Sequence, residues 1–394
     1  MKAGISRLQI TPPIGGVISG GHKPVISTGI LDDLYATAIA FNDGERTVVA
    51  ITLDILELAK RDTDAIRALV SEKTGLDADA VLVHSIHTHT GPEVSGIMHT
   101  PDPAYVKYLF NRIADAVKFA MDDMTDARFF IGRGEAPGAT FIRRFKMKDG
   151  TVKTNAPWGD PDVIGTQGTP DNTVQLLKIV RENKADIALV NFQVHPASLG
   201  GTKISADFVH FVRLTLEQAL QNEADGKGVI VAYFNGAQGD SNHIGYSKHP
   251  GGRYTHMLTH VGRLISAAVL TCYTYAEELT CEKIAYKQID AIVPEYQGYP
   301  EVSLHITCLA IGEIAFIGFP GEPYAEIGRR VKAGAPYSIV IPSCNTNGWV
   351  SYIPTREAIP YGGLGVDTDA NPDIEDICVN SAIALAKELN EIFL

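Results

Sequence analysis

The sequence predicts an α/β fold in which mixed, partly parallel sheets are flanked by helices. Three patterns predict it. Short β-branched runs alternate with longer segments of helical apolar spacing, which favours parallel pairing across helical crossovers. Residues 281–318 instead string strand-like runs together, which favours an antiparallel portion. From about Pro372 onward, Ile374, Cys378, Ala382, Leu385, Leu389 and Ile392 recur at helical spacing.

Element by element, residues 34–41 and 47–53 read as strands and 61–73 as a helix. Residues 80–85 read as a buried strand and 103–121 as a helix. Strands follow at 187–194 and 229–234, with a helix between them that begins near Ala206. Residues 11–32, 143–172 and 344–371 are rich in Gly, Pro, Asn and Asp, and irregular segments this long inside a domain are usually functional. No internal repeat or low-complexity linker is visible, so residues 1–394 are read as a single domain.

Composition narrows the classes of partner. A net charge of −12 argues against nucleic acid or an anionic membrane surface, which require clustered Lys and Arg. No apolar run approaches the ~18 residues of a membrane span, and the N-terminus carries no apolar signal segment. The five cysteines, Cys272, Cys281, Cys308, Cys344 and Cys378, are odd in number and scattered, which reads as reduced thiols. A cytoplasmic protein is expected.

The strongest local signal is the run from Val83 to Pro92, an apolar strand that ends in His87-Thr88-His89-Thr90 and a Gly-Pro break. Two positions apart on a strand, both imidazoles project to one side, and the carboxyl ends of strands in α/β sheets are where sites form. Neutral imidazole is a favoured zinc ligand. Two readings of this segment stand open, a metal site and a hydrogen-bonded pair of core histidines. Asn191 to Ala197 repeats the pattern with His195, while Asp54 and the run Asn235 to Asp240 end two further strands. Four strands finishing in polar groups suggest convergence at one face.

With Ile10-Thr11-Pro12-Pro13, Phe141 to Phe145, Val194-His195-Pro196, Gly321-Glu322-Pro323 and Tyr352 to Thr355, these segments form an ordered set spanning nearly the whole chain. As a set, the chain resembles the N-terminal catalytic domain of the neutral/alkaline non-lysosomal ceramidases, zinc-dependent amidases that split ceramide into fatty acid and sphingosine. The resemblance implies a Zn2+ site with His87, His195, Glu322 and Tyr352 as ligands. It implies a second histidine, His89, that serves the reaction without binding metal, and an arginine, Arg143, facing the scissile amide. Tyr361 is a candidate pocket tyrosine, with a plain loop tyrosine as the other reading. Asp54, Asp207 and Asp240 are candidates for carboxylates that orient the histidines.

One departure matters. Family members carry a serine within Gly-Asp-Val-Ser-Pro-Asn, whereas here the run is Gly239-Asp240-Ser241-Asn242-His243 and that position holds Asn242. Ceramide itself is therefore not the expected substrate, and the chain is read as a shorter, intracellular relative without the family's C-terminal sandwich domain. Its expected reaction is hydrolysis of a linear amide in a small or lipid-like N-acyl substrate by a metal-activated water. The alternatives are a serine esterase using Ser241 and a non-catalytic relative that only binds a metal or ligand. His256 and His260 have zinc-protease spacing, but Met257 stands where the general base belongs, so a helix face is expected. The glycines at 15, 16, 20 and 21 lack the Lys-Ser/Thr of a phosphate loop and are read as lining a pocket mouth.

Overall fold

The computed structural model describes residues 1–157, 159–243 and 255–393. Its main elements fall into three successive units of one topology. In the first, β1 (Lys2–Gln9), β2 (Tyr35–Asn42) and β3 (Thr47–Leu53) pair antiparallel in that order. Helix α1 (Lys60–Thr74) then crosses over, β4 (Val81–Ser85) returns parallel to β3, and α2 (Pro103–Asp122) follows. The second unit repeats this with β5 (Thr125–Glu135), β6 (Thr173–Arg181), β7 (Asp186–Phe192), α3 (Phe208–Ala219), β8 (Val229–Asn235) and α4 (Thr255–Tyr273). The third consists of β9 (Ile284–Val293), β10 (Val302–Ile311), β11 (Ile314–Gly318), α5 (Ala325–Gly334), β12 (Ile339–Ser343) and α6 (Ile374–Glu391).

This corrects the expectation of no internal repeat. The repeat is one of topology and leaves no fixed sequence period, because the inserts differ in length. The connection between first and second strands covers residues 10–34, 136–172 and 294–301 in the three units.

The first two units join through β1 and β5 into one sheet, which the short strand Glu277–Leu279, paired with β5, makes nine-stranded, and the third unit supplies a separate four-stranded sheet. Helices α1 to α4 pack on one face of the large sheet, the two sheets share a middle core, and α5 and α6 cover the small sheet. Strand alternation explains this layering. Along β3, Val49, Ile51 and Leu53 enter the helical core while Val48 and Ala50 enter the core between sheets. A strand buried on both faces reads as a continuous apolar run, which is why these strands were legible.

The helices begin and stop on local chemistry. Asp102 accepts the Ala104 N–H at 2.9 Å, and Pro103 occupies the first position of α2. Gly75, at φ 77°, ends α1 with its N–H on the Ser71 carbonyl. Among the described residues no helix is long and apolar enough to cross a membrane, and all five cysteines are unpaired.

The fourth strands of the three units meet at their carboxyl ends. The Asn235 N–H donates to His84 Nε2 at 3.0 Å, the Cys344 N–H donates to the Asn235 carbonyl at 3.1 Å, and His84 Nδ1 lies 2.7 Å from the Cys344 carbonyl. One residue from each unit thus closes a ring of three hydrogen bonds. Burial pushes the His84 imidazole down to about 3, so it stays neutral and can both donate and accept. The loops beyond these strand ends surround one point.

Candidate metal centre

Strand β4 stops at Ser85, and His87 adopts φ 73°. The expectation that His87 and His89 share a strand face is corrected here, since the chain has left the strand. A left-handed backbone on a non-glycine residue costs ~1–2 kcal/mol. It is held by the His87 N–H donating to the Ile55 carbonyl at 3.0 Å. The turn sets the two rings edge to face with centroids 4.8 Å apart, and brings the His195 ring to 5.0 Å from that of His87.

Backbone carbonyls hold all three imidazoles. His87 Nδ1 lies 3.1 Å from Leu56 O, and His89 Nδ1 lies 3.1 Å from Gly20 O. His195 Nδ1 lies 3.0 Å from both Gln238 O and Ser241 O. A carbonyl only accepts, so each Nδ1 carries the proton and each Nε2 presents a lone pair. One ligand atom from each of the three histidines lies within 4.8 Å of the others, a group that can hold a metal ion.

Glu322 completes the convergence from the third unit. Its Oε2 is 3.3 Å from His87 Nε2 and 3.1 Å from His195 Nε2. These three buried atoms make no hydrogen bond among the described residues. Two ligand atoms ~2.0–2.1 Å from a tetrahedral zinc stand roughly 3.3–3.4 Å apart, so the observed spacing suits ligands of one small cation. Glu322 Oε1 is fixed separately by the Trp349 indole N–H at 3.2 Å.

Two-residue strands at Glu322–Pro323 and Tyr352–Ile353 pair in register, setting Tyr352 beside Glu322. The Tyr352 ring stacks on His195 at 6.3 Å. Arg143 is buried against it, donating through Nη2 to the Tyr352 hydroxyl at 3.0 Å and to the Gly239 carbonyl at 2.6 Å. Backbone approaches are close here. A Cβ at Gly239 would collide with the Glu322 carbonyl, and one at Gly365 would enter the Tyr352 ring.

The electrostatics ask for a positive charge at this point. Burial would raise the Glu322 carboxyl, but His87 and His195 hold it well below the usual range. Burial alone would lower His87, and Glu322 more than offsets it, raising the imidazole. His195 is pushed down to about 4 by burial and by the Arg143 charge. A proton on His87 and a metal ion answer the same demand.

Other expected residues fall elsewhere. None of the three aspartates bonds a site histidine, which corrects that expectation. Asp54 takes a bidentate ion pair from Arg213, Asp207 caps α3 and accepts the Leu199 N–H, and Asp240 accepts the Ala325 N–H. The physical reason is that strand ends carry unpaired carbonyls, which reach the rings first. Tyr361 is 47 % exposed on a 3₁₀ turn, and no side-chain hydrogen bond or ring contact ties it to the cluster among the described residues. Ser241 Oγ is buried and hydrogen-bonds to no histidine among the described residues, which removes the base an esterase needs. Of the helical histidine pair, His260 is exposed, and the side chain of His256 lies outside the described residues.

Several neighbours were not singled out from sequence. The Asn345 side-chain amide lies 2.9 Å from His87 Nδ1, and its signal was its place just past the last strand of the third unit. Glu57 is buried beside His87, and burial pushes its carboxyl up to about 7. An acid inside the apolar run Ile55-Leu56-Glu57-Leu58 was the signal there.

Comparison with known proteins follows this geometry. The family model described as neutral/alkaline non-lysosomal ceramidase, N-terminal, matches residues 2–245. Among solved structures, the chain is similar to neutral ceramidase from Pseudomonas aeruginosa, with TM-score 0.79 and 18 % identity over 98 % of this chain and 75 % of that one. It is similar to a ceramidase complexed with C2 at TM-score 0.79 and 16 % identity, with the same coverage. The structural likeness establishes the shared fold, and the model match over more than half of the chain establishes descent within a group of amide-hydrolysing enzymes. The chain belongs to the neutral/alkaline non-lysosomal ceramidase family.

Proposed function

We propose that the chain is a zinc-dependent hydrolase of a linear amide in a small or lipid-like N-acyl molecule. The observation that carries this reading is the convergence of His87 Nε2 and His195 Nε2 on Glu322 Oε2 at 3.3 and 3.1 Å, all three atoms buried and without hydrogen bonds among the described residues. His87, His195, Glu322 and Tyr352 would hold the ion. Zinc in such a site lowers the pKa of water towards roughly 7 and polarises a carbonyl.

The protein's own groups perform the rest. His89 Nδ1 is occupied by the Gly20 carbonyl, so Nε2 is the atom that takes a proton from the attacking water and returns it to the departing amine. An amide needs that returned proton, because an amide anion is a poor leaving group. The Arg143 guanidinium keeps its charge at every working pH and, lying against Tyr352, supplies positive potential where the carbonyl oxygen becomes negative. Burial and Glu322 push the Tyr352 phenol up, so it stays protonated unless a cation binds it.

One observation favours a second ligand set. His89 belongs to the three-histidine group, so it can replace Tyr352 as a ligand. The test is metal analysis of purified protein together with turnover of a panel of N-acyl amides. About one zinc per chain and loss of turnover on chelation are expected, with zinc retained in His89→Ala. A metal-free protein that hydrolyses the panel would overturn the reading, and zinc lost from His89→Ala would make His89 a ligand.

A further inference from the structure

Strand β4, which leads to His87, and β7, which leads to His195, are not neighbours in the large sheet. Each histidine is anchored within its own unit, His87 by the Ile55 and Leu56 carbonyls and His195 by those of Gln238 and Ser241. The distance between the two rings is then set by groups that cross from one unit to the other.

Asn235, the fully buried last residue of β8, is such a group. Its Nδ2 donates to the Ile86 carbonyl at 3.0 Å and to the Val194 carbonyl at 3.2 Å, and its Oδ1 accepts the Val194 N–H at 3.3 Å. Ile86 and Val194 are the residues immediately before His87 and His195. Nδ2 also meets Gln238 Oε1 at 3.0 Å, and the Gln238 carbonyl is one of the two that hold His195 Nδ1. These partners fix the orientation of the amide, since turning it over would set Oδ1 against three oxygens. The main chain of the same residue reaches the third unit. The Asn235 carbonyl accepts the Cys344 N–H, and the next N–H, that of Asn345, donates at 2.8 Å to the Gly321 carbonyl, immediately before Glu322. Beyond the histidines the His89 N–H donates to the Pro196 carbonyl at 3.0 Å. That tie is made of backbone alone, whereas the tie ahead of the histidines hangs on one side chain.

We propose that Asn235 is a positioning residue, whose carboxamide sets the spacing of His87 and His195 for one metal ion. This rests on the zinc reading above and names the side chain that gives the two ligands their separation. A carboxamide suits the place because it is neutral and offers an acceptor and two donors on one planar head. An ionised group buried here would be costly, and an apolar one would leave the Ile86 carbonyl and both backbone groups of Val194 without this partner. The competing role is purely structural, in which the amide stabilises the fold and leaves the metal unaffected.

The experiment compares full-length wild type with Asn235→Ala and Asn235→Asp. Each protein is stripped with a chelator, and its stability to urea is measured without metal. Zinc affinity is then read by competition with a chromophoric chelator, and the visible bands are recorded at saturating cobalt(II), which report the arrangement of the metal's ligands. Zinc affinity weaker by about 10–100-fold, with cobalt bands that differ from those of wild type, upholds the proposal. A structural role alone lowers only the stability of the stripped protein. In a folded variant, zinc weakened by less than about tenfold, or wild-type cobalt bands, therefore overturns the proposal. Asn235→Asp keeps the side-chain shape and decides the matter where Asn235→Ala does not fold. Its added negative charge by itself strengthens cation binding, so weaker zinc in that variant comes from displaced histidines. Wild type that binds neither zinc nor cobalt overturns the metal reading itself and the proposal with it, whereas zinc held equally by all three proteins removes the positioning role alone.

Discussion

Glu57 makes a pH-dependent stability prediction in the metal-free chain. Its carboxyl is pushed from an ordinary 4.5 up to about 7, first by burial, while His87 acts in the opposite direction. A carboxyl with a raised folded-state pKa binds its proton in the native state after the unfolded chain has released it. Its contribution is therefore full below pH 4.5 and is lost as pH rises to about 7. The difference of about two and a half pKa units corresponds to about 3 kcal/mol. Glu57→Gln has no such titration, so the variant's stability relative to wild type should rise by about 3 kcal/mol between pH 4.5 and 8. Burial also raises Asp207 and Asp240, each to about 6, but their contributions are common to both proteins and cancel in the difference. Urea unfolding of chelated protein at half-unit pH intervals measures it. Parallel stability profiles for the two proteins would refute the reasoning.

Three further outcomes follow from the site. His87→Ala and His195→Ala should each sharply reduce bound zinc in elemental analysis, and full occupancy in the double variant would remove both from the ligand set. Arg143→Ala should keep zinc and lose turnover by ~100-fold or more, as when an oxyanion donor is removed; unchanged turnover would assign the residue to packing against Tyr352. Asn345→Ala should weaken zinc by about 10–100-fold in a competition assay, because it removes the side chain that lies against the His87 ring nitrogen. Zinc affinity equal to wild type would show that the Leu56 carbonyl orients the ring without it.

The strand and helix plan was legible because it depends on local periodicity. The residues read as strands at 47–53 and 229–234 are β3 and the bulk of β8, and the helix read at 103–121 is α2. Each carries its apolar pattern in consecutive residues. The candidate site was legible in part for a different reason, since His87 and His195 stand close after strand ends, each ahead of a proline break. Arg143 lies in an irregular stretch beside Arg144, yet both are buried. What buries Arg143 is Tyr352 and the Gly239 carbonyl, far away in the chain, and no local pattern announces such partners.

The chain's own residue order thus determines the α/β class, the polar strand endings and the family. Tertiary structure decides the threefold topology, the ring joining His84, Asn235 and Cys344, and the carbonyls that orient the histidines. The physical reason is range. Periodicity is written over a few residues and survives in any context, whereas His84 meets Cys344 across 260 positions, through loops of unequal length. Contacts of that kind exist only once the apolar burial of all three units has brought the strand ends together. The same holds for Glu57, whose acidity is set by where folding leaves it.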